Sequence, residues 1–341
     1  MAAFARPLIL AALVAGLTGP AMAQASSSEG RNFDGVWTNA SSTRLERPST
    51  FKTLVVPKAE ADAIEQRAVA GAKAAGAKSD LSDGAFKDGN ATAGYNAFWT
   101  DPGNSLMKIR GEARSSYITD PADGRIPWRD RTKSLKEVIR EGVEYRSGGG
   151  AYEGPEVLPL RERCLISQSD EGGPIMLSGL YNNIYEFHLT PGYLVIEVEM
   201  VHDARIYSIY GSAAEARAHH KPAAIMPWLG DSVAWWEGDT LVAETRNVNP
   251  IQEAHTATPV SAQGTVTERF TRIGEGELLY QFRVDDPVHY TKPWSGEYSF
   301  KPAQGGLFEY ACHEGNYSVP GILRGARLKE MAAARAAQAK R

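Results

Sequence analysis

Between Tyr193 and Ile209 the chain reads YLVIEVEMVHDARIYSI, and side-chain polarity alternates there with a period of two. Leu194, Ile196, Val198 and Met200 fall on one side, Glu197 and Glu199 on the other. A strand sends successive side chains to opposite faces, so the run predicts a β-strand with two differently solvated faces. A helix would scatter the same residues around its axis.

Similar signals recur. Candidate strands lie at 174–178, 182–189, 205–210, 240–246, 265–273, 277–285 and 296–301, with shorter ones at 33–38 and 117–119. Thr190-Pro191-Gly192 and Gly274-Glu275-Gly276 are compact turns of the kind that joins hairpins. Consecutive hairpins without intervening helices predict an antiparallel meander, and closing it into a barrel removes exposed edges. The barrel is expected over 100–322, in a mainly β chain.

The remaining segments read differently. Lys58 to Ala70 is rich in Ala, Glu, Lys and Gln, which predicts a helix ended by Gly71 within an N-terminal arm, 24–99. Residues 131–145 are a second, short helix candidate, and 212–222 read as a helix or loop insertion. The Ala- and Lys-rich tail 323–341 predicts a surface helix.

Arg6, the apolar run Leu8 to Leu17 and Ala21-Met22-Ala23 before Gln24 have the layout of a secretory signal, 1–23. The run is shorter than the roughly 20 apolar residues a membrane span needs. We therefore expect a periplasmic or secreted protein with no membrane span after cleavage. A chain of 341 residues, 43% of them hydrophobic, is enough for a sizeable core, in one large all-β domain or two smaller units. A net charge of -4 without a basic run offers no electrostatic footprint for nucleic acid. Cys164 and Cys312 are the two cysteines; in an oxidising compartment they permit one disulfide, the alternative being two separate buried thiols.

Further motifs sharpen the fold: Trp236-Glu237-Gly238-Asp239-Thr240-Leu241-Val242 with Glu244-Thr245, Asp286-Pro287 through Tyr290-Thr291-Lys292-Pro293-Trp294, and Glu309 through Tyr317, EYACHEGNY. With Arg163-Cys164-Leu165 and Met200 to Arg205 they cover most of 160–325. On these motifs the chain resembles a broad family of exported bacterial proteins, mostly without an assigned function. The resemblance implies a lipocalin-like, calycin-type barrel and no particular chemistry.

Several reaction classes lack their residues. Ser49-Thr50-Phe51-Lys52 and Ser105-Leu106-Met107-Lys108 match Ser-x-x-Lys, but neither opens a helix and no Lys-Thr-Gly strand follows. The glycines at 148–150 precede no Gly-Lys-Ser/Thr, so no phosphate loop is expected. His188, His202, His289 and His313 lie on segments able to converge, yet no metal-ligand spacing such as His-x-His or Cys-x-x-Cys is present. No metal or organic cofactor is expected, and a metal-dependent hydrolase ranks third among the readings.

His202-Asp203-Ala204-Arg205 suits acid–base work. Imidazole titrates near working pH, a carboxylate fixes its tautomer, and a guanidinium stabilises an oxyanion. The competing reading makes Asp203 a turn residue and Arg205 a structural ion pair. The leading expectation is a cofactor-independent lyase or isomerase acting on a small aromatic or apolar compound. Its catalytic candidates are His202, Asp203, Arg205, His313 and Glu199. Tyr185, Asn183, His188, His289, Tyr290, Trp294 and Tyr317 are the candidate substrate contacts. The other class is a non-catalytic carrier of a hydrophobic ligand, in which the same groups anchor a carboxylate. Trp228, Trp235 and Trp236 line a pocket mouth in either case, unless they are core. The polar faces of the strands decide part of this: outward they are ordinary surface, inward they form a buried charge network.

Overall fold

The computed structural model describes residues 29–78, 103, 105–131, 152, 154–158, 160–167, 170–179, 182–253 and 256–339. The expected signal at 1–23, the 148–150 glycines and almost all of the 131–145 helix candidate lie outside them.

The described elements are β1 (Gly35–Thr38), α1 (Lys58–Lys78), β2 (Lys108–Ile109), β3 (Glu112–Ala113), β4 (Ile118–Asp120), β5 (Ile184–Leu189), β6 (Tyr193–Val198), β7 (Ala204–Tyr210), α2 (Ala213–Ala218), β8 (Asp231–Glu237), β9 (Thr240–Arg246), α3 (Pro250–Glu253), β10 (Thr265–Gly274), β11 (Glu277–Asp285), β12 (Trp294–Pro302) and α4 (Ser318–Ala339). The strand order β1-β5-β6-β7-β8-β9-β10-β11-β12 closes through β1 pairing with β12, and β4 adds to β12 outside the ring. The fold is thus a mainly β, closed nine-stranded barrel, with a helix in the N-terminal arm and another at the C-terminus.

Three features differ from the expected meander. First, β7 and β8 run parallel, so the barrel is mixed and not purely antiparallel. The reason is the insertion at 212–222: α2 and the loop after it carry the chain back along the barrel, and a parallel pair needs a crossover of that length. Second, β1 sits in the barrel wall, paired with both β5 and β12, although its residues precede the expected boundary at 100. Third, Pro174 to Ser178 form no strand. Asp170–Gly179 instead runs irregularly into the barrel, where Ile175 and Met176 are fully buried.

That segment explains the polar groups on the inner face. A buried irregular backbone must find hydrogen-bond partners inside the protein. Tyr185 Oη donates to the Glu171 carbonyl, Tyr298 Oη to that of Met176, and Arg205 to those of Gly172 and Pro174. The Met176 N–H donates to Tyr280 Oη, and Tyr117 Oη pairs with Ser178 Oγ at 2.9 Å. Gly173 has φ +106, and a Cβ there would run into the Arg205 guanidinium, so only glycine passes this point without strain. The rest of the lumen is aromatic. Phe187 meets Phe270 and Phe300 at 6.1 and 5.2 Å, Tyr280 meets Phe270 and Tyr298 at 5.2 and 5.0 Å, and all are buried.

The disulfide is formed: Cys164 and Cys312 are bonded, 148 residues apart in sequence, and tie the 160–167 segment to the loop before α4. Chain-entropy arguments assign a loop of that length about 4–5 kcal/mol. α1 runs to Lys78, past Gly71, because the alanines around the glycine favour helix more than one glycine opposes it. Ala61 and Ile64 pack it on Val56, Leu106 and Ala113. α4 begins at Ser318, five residues before the expected start, and buries no residue. Among the described residues no helix is long and apolar enough to cross a membrane.

Candidate functional site

The parallel seam between β7 and β8 is short: only Ser208–Tyr210 pair with Val233–Trp235. Before Ser208 the two strands are not paired, and the loop from His219 to Gly230 crosses the gap. The result is a cleft of about 510 Å³, lined by His202, Asp203, Arg205, Ile206, Ser208, Tyr210, His219, Lys221, Trp228, Asp231 and Ser232 among others. Its walls are partly apolar, from Leu165, Ile166, Pro227, Leu229 and Val233. His219 stacks on Tyr210 with ring centroids 4.4 Å apart. A second, more open groove of about 690 Å³ runs beside the disulfide from Arg161 to Ile322 and gathers no imidazole.

The HDAR stretch reaches the cleft through a break in the strand pattern. Met200–His202 form a 3-10 turn in which Val201 and His202 both adopt left-handed backbone, φ 61° and 56°. His202 is left exposed and Asp203 is buried in the cleft wall, while Arg205 and Tyr207 are buried on the inner side. His202 Nε2 accepts the Tyr310 N–H at 2.9 Å. An amide can only donate, so the neutral ring carries its proton on Nδ1. Asp203 accepts the Ser167 N–H at 3.0 Å. Burial pushes its carboxyl up to about 6, against the Ser167 hydrogen bonds and the nearby Arg205 and His202, which pull it down.

Arg205 is turned inward and is 1% exposed. Its guanidinium meets Glu268 at 2.7 Å and Thr245 Oγ1 at 3.3 Å, besides the two carbonyls already named. Tyr207 and Tyr280 hydroxyls donate to the same Glu268 carboxylate, at 3.1 and 2.7 Å. The inner face therefore does hold a charge network, and each partner in it is another part of the barrel.

The other candidates lie elsewhere. His313 is exposed in the loop beyond Cys312, and Glu199 is buried at the end of β6, where it accepts the Phe308 N–H. Neither lines the cleft. Tyr185 belongs to the lumen, and Asn183 clasps Gly179 through its amide, accepting at 2.8 Å and donating at 3.1 Å. Tyr290 and Trp294 are buried core rings 5.6 Å apart, and the Tyr290 hydroxyl donates to the Pro259 carbonyl. His289 is buried beside them. His188 and Tyr317 stand exposed on the outer surface. Of the three tryptophans, Trp228 lines the cleft, Trp235 lies under α2, and Trp236 packs on Phe33.

Sequence reasoning missed a second cluster behind the cleft. His219-His220 in an Ala-rich insertion reads as solvated, yet the His220 side chain is only 7% exposed. Its Nδ1 lies 2.8 Å from Asp231 and its Nε2 3.3 Å from Glu244. Lys221 reaches Asp231 at 3.0 Å, and Arg217 and Arg246 reach Glu244 at 2.9 and 2.7 Å. Burial alone would raise both carboxyls, but these partners outweigh it; Glu244 falls to about 2 and Asp231 is also lowered. A usable signal was the basic pair His220-Lys221 before Pro222 and an acid, Asp231, opening the next strand.

No family model matches the chain, and neither a curated protein nor a solved structure matches it.

Proposed function

We propose that this chain is an exported enzyme of the lyase or isomerase class that moves protons on a small aromatic compound held between β7 and β8. The observation that carries this reading is Asp203 at the cleft, with its carboxyl raised to about 6 and His202 as its neighbour. A base of that strength is mostly ionised at neutral pH and still accepts a proton readily. A cleft of about 510 Å³ with aromatic and aliphatic walls suits a small molecule.

In this mechanism Asp203 withdraws a proton from the substrate and, as the acid so formed, returns it at a neighbouring position. The neutral His202 ring donates a hydrogen bond from Nδ1–H to the developing negative charge, its Nε2 being held by the Tyr310 amide. Arg205 is a positioning residue: its ion pair with Glu268 holds the start of β7 in place. No organic cofactor is invoked. The Cys164–Cys312 bond supports an oxidising, extracytoplasmic setting. A carrier holding its ligand in the lumen draws less support, because aromatic rings and Asp170–Gly179 occupy that space.

The test is native mass spectrometry against a panel of small aromatic metabolites, followed by product analysis. Asp203→Asn is expected to lower kcat by about 100-fold or more, and His202→Ala by roughly 10-fold or more, with unchanged circular dichroism. Binding without product from any panel member would make the cleft a non-catalytic binding site. Turnover unchanged in both variants would remove it from the chemistry.

A further inference from the structure

A different set of groups lies on the outer face of β5 and β6. Glu186 and His188 are two residues apart on β5 and so share a face, and Glu197 on β6 stands directly opposite Glu186 in the register. One ligand atom from each lies within 4.8 Å of the other two. His188 Nε2 is 3.5 Å from Glu186 Oε1.

Two features separate this set from ordinary surface charge. Like charges directly across an antiparallel ladder repel, and the pair costs stability unless something neutralises it. Among the described residues no lysine or arginine forms an ion pair with either carboxylate; the imidazole is the one basic group in reach. The backbone beneath is also rigid. Tyr185, Phe187, Ile196 and Val198 alternate with the three residues and are fully buried, which fixes the spacing of the outward side chains.

We propose that Glu186, His188 and Glu197 form a three-ligand site for a first-row divalent cation of the zinc type. One imidazole nitrogen and two carboxylate oxygens match zinc, cobalt, nickel or copper better than magnesium or calcium, which prefer all-oxygen shells. Ligands bound tetrahedrally at about 2.0–2.2 Å stand roughly 3.3–3.6 Å apart. His188 and Glu186 already have that spacing at 3.5 Å, and a small rotation of the partly exposed Glu197 side chain completes the set. The three ligands come from one side only, leaving the solvent side open for water or a further ligand. Glu197 pairs across to Ala204, which lines the β7–β8 cleft, so the ion sits beside that cleft and outside it. The site stands independently of any acid–base role for Asp203.

The experiment is calorimetric titration of the untagged, chelator-stripped full chain with Zn2+, and separately with Mg2+, alongside thermal melts. One Zn2+ per chain is expected, with a raised melting midpoint and no comparable response to Mg2+. His188→Ala and Glu197→Gln are each expected to weaken Zn2+ binding at least 10-fold, and both positions are exposed enough to change without disturbing the core. Glu197→Gln should also raise the midpoint of the metal-free protein, because it removes the opposed charge. Absence of saturable one-to-one binding overturns the proposal. So does binding of unchanged affinity in both variants, which would place the ion at other histidines.

Discussion

The Arg205–Glu268 pair and the outer cluster, in which Arg217 and Arg246 meet Glu244 and Lys221 meets Asp231, place opposite charges at similar distances, 2.7 Å in the first and 2.7 to 3.0 Å in the second. They stand on opposite sides of the same barrel wall. Inside, both partners are at most 1% exposed and are hydrogen-bonded by tyrosine hydroxyls and loop carbonyls. Outside, the cations Arg217, Lys221 and Arg246 keep 49%, 53% and 44% of their side chains in solvent. The difference lies in desolvation more than in Coulomb attraction. A buried charge that loses its partner has nowhere to go, whereas a rim charge turns to water.

The largest expected effect tests the inner pair. Glu268→Ala should destabilise the fold by about 3–5 kcal/mol in urea unfolding, with little dependence on salt, because it strands the Arg205 guanidinium. A loss near 1 kcal/mol would erase the contrast between the two sides. Gly173→Ala should cost about 2 kcal/mol or more, since its backbone is left-handed and the new methyl meets the same guanidinium. The outer cluster should respond less. Glu244→Gln is expected to cost about 1 kcal/mol at low ionic strength, shrinking in molar salt as screening replaces the lost carboxylate.

The carboxyls give a smaller and sharper comparison through pH. Burial pushes Asp203 up to about 6, and Asp170, which accepts the Thr258 hydroxyl at 3.0 Å, up to about 7. A carboxyl whose folded pKa is raised binds protons more tightly in the folded state. Its stabilising contribution is fully present below about pH 4 and is lost as pH rises towards 6 or 7. Glu244, lowered to about 2, behaves oppositely: its contribution is present above about pH 4.5 and is lost as pH falls towards 2. Urea midpoints across pH 2–8 should therefore lose their upper slope in Asp203→Asn and Asp170→Asn, and their lower slope in Glu244→Gln. Asp203→Asn is expected to be as stable as the parent at pH 7.5 or more so, by on the order of 1 kcal/mol.

Much of the fold is legible in the sequence. The hairpins β5–β6 and β10–β11 follow period-two runs and the turns between them. β8 is not legible, because Trp235-Trp236 interrupts the alternation; the turn Glu237-Gly238-Asp239-Thr240 before β9 is its best signal. Ile175 and Met176 read as strand because a short apolar run looks alike in any buried segment. For the site, the alternation of His202, Asp203 and Arg205 was legible, but the side each would face was not. Two left-handed residues at Val201 and His202 set that, and a β-branched valine does not announce such a backbone.

By itself the sequence determined what depends on near neighbours: strand periodicity, turn positions, the Ala-rich helices, and a cysteine pair compatible with one bond. Those properties rest on backbone geometry and solvation over a few residues. Only the tertiary structure decided which face became the lumen, that β7 and β8 run parallel, and that Arg205 meets Glu268 across 63 residues of chain. Barrel closure makes those choices. It brings distant strands together, and it converts a polar inner face into hydrogen-bond partners for the buried Asp170–Gly179 segment.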